Sequence, residues 1–403
     1  MRIGNGLPRA APSAVHDAAA EPSPVRPASG FCLPSLPARW RRDMILVAAV
    51  FLASRCLVLL AFYLRGRAFP FMDAEGYIRQ AAWLATHGSL LVPAVDGGRF
   101  FYGMPLIVSL FGRLTGEFAW TGVSVNAIAG MGACLLFYRN FARLDWALWF
   151  ACLLPGWVTT SATFHSEAGQ WLFCMVGLTA LHVGRGTLLR RLLFALSGYA
   201  YLCRPTTVFI LAPLLLFPFF EEGADWRTCL LDAAWAALFP VLITAWTLVE
   251  TRCLFPQKAW QNDEFAYWTQ LYGGSFPSTV FAWPGQSFLA GFTNSVVRLP
   301  IKVLNFGHFV AWAMALGLSA RAWLQSRSDR IAALLTVELA LNGLFILTIG
   351  GPFGHTLFYR FIATQANAFL LLALFRYLRL PSIYWWCASL ASVSIALMAS
   401  AKA

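Results

Sequence analysis

Residues 44–64 read MILVAAVFLASRCLVLLAFYL, an apolar run interrupted only by Ser54, Arg55 and Cys56. About twenty such residues span a bilayer as a helix, so the stretch predicts a transmembrane helix rather than part of a soluble core. Arg39, Arg41 and Arg42 precede it. Basic residues beside a first span tend to stay on the cytoplasmic side. The expectation is a cytoplasmic N-terminus with the loop at about 65–101 outside.

The rest of the chain repeats this pattern. Of 403 residues, 59% are hydrophobic and 12% charged, and the mean hydropathy is +0.63. A soluble domain is nearer half apolar and a quarter charged, which excludes a water-soluble enzyme. Further spans read at about 117–138, 145–163, 168–184, 228–249, 299–321, 331–349, 360–378 and 383–400. The stretch 191–220 is broken at Arg204-Pro205 and reads as two short helices meeting there, for about 11 crossings in all. Residues 102–115 (YGMPLIVSLFGRLT) are short for a span and read as re-entrant. The predicted fold class is an all-α polytopic membrane protein of about 11 transmembrane helices, with a re-entrant or juxtamembrane helix in the first external loop.

Residues 1–38, rich in Ala, Pro and Ser without an apolar run, read as a disordered cytoplasmic tail. They lack the apolar core of a signal peptide. Residues 39–403 read as one transmembrane domain with external loops at about 65–101 and 250–298. The net charge of +12 comes from basic residues set singly between apolar segments. That arrangement fits orientation-setting loops and membrane lipid, not nucleic acid. The nine cysteines form no CxxC pair and mostly lie in apolar runs, so neither a zinc site nor a disulfide framework follows.

With this topology one face gathers the polar residues. It holds the loop 65–101, the turn His165-Ser166-Glu167, the Arg204-Pro205 break, the loop 250–298 and the segment from Gly350 to Arg360. The first loop runs FPFMDAEGYIRQAAWLATHGSLLVPAVDGGRFFYGMP over 69–105. Tyr77, Ile78, Ala81 and Leu84 recur at helical spacing, and Gly88 ends the pattern. This predicts a short amphipathic helix on the membrane surface. Asp73 and Glu75 at its start suit two roles, capping the helix or serving as a catalytic carboxylate.

Other polar residues also leave alternatives open. Arg55 lies mid-span, where a charge is costly, so it must face protein or a wet cavity, in a structural or a site role. Glu338 and Asn342, one turn apart, read as an interhelical contact. Glu167 suits either a structural or a substrate or metal role. His355 reads as a loop histidine, and His87, His182 and His308 as structural. In the loop 250–298, Trp260, Tyr267, Trp268, Tyr272 and Trp283 accompany Asp263 and Glu264. They form either an interfacial aromatic belt or a platform for an acceptor.

The loop pattern resembles that of the C-type superfamily of membrane glycosyltransferases, notably its protein O-mannosyltransferase and lipid A aminoarabinose transferase branches. There an Asp in the first external loop is followed by an aromatic, a Gly, a Gly-Arg-aromatic-aromatic run and a Pro. Here these are Asp73, Tyr77, Gly88, Gly98-Arg99-Phe100-Phe101 and Pro105. The resemblance continues through Glu167 at an external turn, Arg204-Pro205 and Tyr359-Arg360, covering about 44–378. Two departures stand out: Ala74 follows Asp73 where many relatives have a second acid, and Tyr102, Gly103 and Met104 replace the acid and lysine that often precede the Pro.

The resemblance implies transfer of a sugar from a polyprenyl-phosphate donor to a glycan, lipid or protein acceptor outside the cytoplasm. Asp73 would be the general base. Glu75, Tyr77, Arg99, Glu167, Arg204, Tyr359 and Arg360 would contact substrate, the arginines through forked bonds to phosphate. The cofactor is unknown, a divalent cation being possible. The alternative is a polytopic transporter or flippase for a lipid-linked or small polar substrate. A noncatalytic assembly protein is the third class.

Overall fold

The computed structural model describes residues 38–66, 74–90, 102–204, 207–216, 225–251, 299–326, 329–348 and 367–402. They are all-helical. In chain order the helices are α1 (Ala38–Leu64), α2 (Ala74–His87), α3 (Gly103–Thr115), α4 (Phe118–Phe141), α5 (Leu144–Cys152), α6 (Pro155–Ala162), α7 (Glu167–Leu181) and α8 (Leu188–Gly198). There follow α9 (Ala200–Cys203), α10 (Val208–Leu216), α11 (Trp226–Ala236), α12 (Leu238–Thr251), α13 (Leu299–Gln325), α14 (Arg330–Thr348), α15 (Asn367–Tyr377) and α16 (Ser382–Lys402). The tail before Ala38 and most of the loop 250–298 lie outside the described residues.

Among the described residues two helices are long and apolar enough to cross a membrane alone, Arg39–Leu64 and Phe118–Phe141. The pair Trp226–Ala236 and Leu238–Glu250, bent by 42°, would make a third. Helix length therefore falls short of the eleven crossings read from hydropathy. One reason is that apolar runs are cut by prolines, which donate no N–H and clash with the preceding turn. The run at 145–163 is not one helix but α5 and α6, separated just before Pro155. The run at 228–249 breaks at Ala237, three residues before Pro240. The stretch 191–220 breaks at Tyr199 as well as at Arg204.

The main core joins α1 with α4 to α7 and the C-terminal helices, through Phe51, Phe137, Phe150, Trp157, Trp171 and Phe369. Phe137 stacks on Phe150 with centroids 4.7 Å apart, and Phe150 on Trp157 at 5.7 Å. The outer surface carries large apolar side chains, among them Ile45, Leu60, Leu64, Leu114 and Val249. An apolar exterior of this extent suits lipid rather than water, and with the apolar helices it marks a membrane protein.

Helix α2 buries Ala74, Tyr77, Gln80, Ala81 and Leu84 and leaves Glu75 and Arg79 exposed, so its period of 3.6 separates a packed face from an open one. It ends at Gly88, whose φ of +65° is one that glycine adopts without strain. Helices α2 and α3 pack on each other and on α4.

Candidate functional site

The turn between α6 and α7 is the centre of a buried polar cluster. Thr163 is extended (φ −103°, ψ −175°), which ends α6. Asn126 of α4 donates through Nδ2 to the carbonyls of Thr160, at 2.9 Å, and of Thr163. These are carbonyls a helix end leaves without intrahelical donors. Nδ1 of His165 lies 2.8 Å from the Thr163 hydroxyl. Glu167 opens α7, a favourable place for a carboxylate at the positive end of the helix dipole.

Two other elements close on this turn. Pro205 disfavours a helical conformation in the residue before it, and Arg204 is accordingly extended at φ −154°, ψ 118°. Its Nε donates to Ser166 Oγ at 3.0 Å and its Nη2 to Glu167 Oε1 at 2.5 Å. Glu167 is fully buried and Arg204 is 8% exposed. From α2, the Tyr77 hydroxyl donates to the same Ser166 Oγ at 3.1 Å. The Tyr77 ring centroid lies 5.8 Å from that of Phe164 and 6.1 Å from that of His165.

Ser166 is therefore the hub of the cluster, its oxygen accepting from both Tyr77 and Arg204. The resemblance implies that Arg204 bonds phosphate through its fork. In the structure its Nε and Nη2 are engaged by Ser166 and Glu167, which fixes its plane.

The backbone near Arg204 is packed to contact. A Cβ on Gly103 would lie 2.6 Å from Cys203 N and 2.7 Å from Cys203 Sγ, so only glycine lets the start of α3 reach α9. The Tyr199 hydroxyl donates to the Gly103 carbonyl at 2.8 Å. Glu250 Oε2 accepts from the Leu90 N–H at 2.9 Å, and the Tyr102 hydroxyl donates to the Leu90 carbonyl at 2.7 Å. These bonds tie the chain leaving α2 to the ends of α3 and α12.

Of the residues named from sequence, Tyr77, Glu167 and Arg204 come together. Glu75 does not join them: it is exposed and pairs with Arg79 one turn along α2, at 3.3 Å. Asp73, Arg99, Tyr359, Arg360 and His355 lie outside the described residues, as do the aromatics of the loop 250–298. Glu338 and Asn342, read as an interhelical contact, are fully buried, and Asn342 Nδ2 donates to the Glu338 carboxylate within α14. Among the described residues no three His, Cys, Asp or Glu side chains gather as a metal site requires.

Sequence reading missed the hub role of Ser166, the cap supplied by Asn126, and Gln170. Gln170 is fully buried one turn along α7 from Glu167, with no hydrogen-bond partner for either amide atom among the described residues. A polar residue three places after an acid at a helix start was the available signal, since that spacing shares a face.

This architecture has a solved counterpart. The fold is similar to that of an archaeal oligosaccharyltransferase. Against the crystal structure of the Archaeoglobus fulgidus oligosaccharyltransferase complex with Zn and sulfate, the TM-score is 0.51 at 14% identity, covering 87% of this chain. The chain spans about half of that protein, 53% of its length. No protein-family model and no curated protein matches the sequence. The likeness is one of fold.

Proposed function

We propose that the chain is a multi-pass inner-membrane glycosyltransferase that moves a sugar from a polyprenyl-phosphate carrier to an extracytoplasmic acceptor with inversion. In this reading the helix pairs α5–α6 and α11–α12 serve as bent spans within about 11 crossings. The N-terminus is cytoplasmic and the turn at Glu167 faces outside. A carrier with a lipid tail accounts for the apolar build, because the tail stays in the bilayer while the phosphate-sugar reaches the surface.

The single observation that carries the reading is the Tyr77–Ser166–Arg204–Glu167 cluster, set beside the start of α2 in a fold similar to an oligosaccharyltransferase. Asp73 directly precedes α2. As general base it takes the proton of the acceptor hydroxyl while that oxygen attacks the anomeric carbon. The carbon–oxygen bond to phosphate breaks, and the phosphate leaves with its electron pair. Arg360 and Arg99 supply positive charge to the departing phosphate, and a guanidinium bonds phosphate strongly. Arg204, oriented by Glu167 and Ser166, bonds the phosphate from the side of that turn. Tyr359 flanks the donor.

Mass spectrometry of envelope glycans and lipids from a strain lacking the chain tests this. The expected result is loss of one sugar substituent with accumulation of its polyprenyl-phosphate-linked donor. Unchanged glycans and lipids under conditions where the chain is expressed in the parent would overturn it.

A further inference from the structure

Arg55 sits in the first long apolar helix and is 2% exposed, yet among the described residues no carboxylate lies within ion-pair distance of it. Its bonds explain its presence. In a continuous helix the N–H of residue 155 would donate to the carbonyl of Ala151. Residue 155 is Pro and has no N–H. Arg55 Nη1 donates to the Ala151 carbonyl at 2.6 Å. At membrane depth no water is present to satisfy such a carbonyl, so irregular backbone persists there only where protein groups serve it.

The same guanidinium grips the helix beyond the break. Nε donates to Ser161 Oγ in α6 at 2.9 Å, and Nη1 also reaches Ser54 Oγ at 2.8 Å. Its carbon lies 4.0 Å from the Phe51 ring centroid and 5.7 Å from that of Trp157, so ring faces carry part of the charge. Ser392 of α16 donates to the Leu153 carbonyl beside the break. Asn126 holds the other end of α6. Helix α6 is thus fixed at both ends by side chains from α1, α16 and α4, and it delivers the turn carrying His165, Ser166 and Glu167.

We propose that Arg55 is a positioning residue: it supplies the hydrogen bond that Pro155 cannot, and so sets α6 and the turn through Glu167 against Tyr77 and Arg204. A guanidinium suits the task because one planar group serves Ala151, Ser54 and Ser161 together. The consequence for sugar transfer rests on the function proposed above; the positioning itself does not.

The test uses the purified full chain in detergent, comparing Arg55→Met, Pro155→Ala and the double variant by hydrogen exchange and thermal melting. Arg55→Met should lower the melting temperature and speed amide exchange across 160–167 by about tenfold or more, as loss of a charge-assisted bond predicts. In the double variant the N–H restored at position 155 should bond Ala151, so that adding Arg55→Met to Pro155→Ala changes exchange by no more than about twofold, a coupling that a double-mutant cycle isolates. Equal effects of Arg55→Met in both backgrounds, or unchanged exchange in the turn while melting falls, overturn the proposal.

If Arg55→Met fails to fold, recovery of folded double variant supports the proposal and failure of both overturns it. Sugar transfer, read from glycan mass spectra, should fall and recover with the exchange. Spectra indifferent even to deletion of the chain would remove the glycosyltransferase reading and leave the exchange result standing.

Discussion

Nη2 of Arg204 lies 2.5 Å from Oε1 of Glu167, joining the end of α9 to the first residue of α7 with both side chains buried. A buried ion pair adds little net stability against a well-packed apolar replacement, but removing one partner strands the other charge. That asymmetry separates the pair's structural role from its chemical one.

Arg204→Ala and Glu167→Gln should each cost about 3–5 kcal/mol of stability, read as a lowered melting temperature of the detergent-purified chain. The double variant Arg204→Met with Glu167→Leu should recover much of that stability while remaining inactive in sugar transfer. Arg204→Lys should recover transfer only in part, because an ammonium lacks the fork that reaches Ser166 and Glu167 at once. A double variant with normal transfer would make the pair purely structural.

The pair Arg190–Asp232 provides a contrast. It joins α8 to α11 at 2.7 Å, both side chains 2% exposed, and among the described residues neither side chain bonds the Ser166 cluster. Arg190→Met should destabilise by about 3–5 kcal/mol, and adding Asp232→Leu should restore melting. Protein that remains folded should transfer sugar at the normal rate; a loss of transfer at normal melting temperature would contradict the assignment.

Asp73→Asn keeps size and capping ability but removes the carboxylate base, so transfer should fall by about 10²–10⁴-fold with melting nearly unchanged. Glu75→Gln should have little effect on either, since Glu75 is exposed and its pairing with Arg79 is of the weak surface kind. Normal transfer by the Asp73 variant together with loss in the Glu75 variant would move the base to Glu75.

Orientation can be read chemically. A cysteine introduced at Ala94, in a background with accessible native cysteines removed, should react with an impermeant thiol reagent in intact cells. Labelling only after lysis would place the first loop inside and overturn the extracytoplasmic site.

The helix over 74–87 was legible because a period of 3.6 in Tyr77, Ala81 and Leu84 is a local property, and so was its stop at Gly88. Glu167 and Arg204 could be named as polar residues at a turn and a break, and Tyr77 from the loop pattern that the resemblance rests on. That they share one hub at Ser166 could not, because the contact between residues 77 and 166 crosses 89 positions and leaves no periodic trace. Arg55 was legible only as a charge in an apolar run. Its partner is a backbone carbonyl, and a carbonyl carries no residue signature.

The sequence by itself determined that the chain is helical and membrane-embedded, because hydropathy acts residue by residue through transfer from water to lipid. It did not determine how many runs stay continuous. A proline's cost depends on whether a distant donor such as Arg55 or Ser392 reaches the carbonyls beside the break. Only the tertiary structure decided that α5 and α6 part at Pro155, that Glu75 turns outward while Tyr77 turns in, and that Arg204 is held by Glu167. Each of these follows from packing between helices far apart in sequence, where hydrogen bonds must be completed inside the protein because the bilayer completes none.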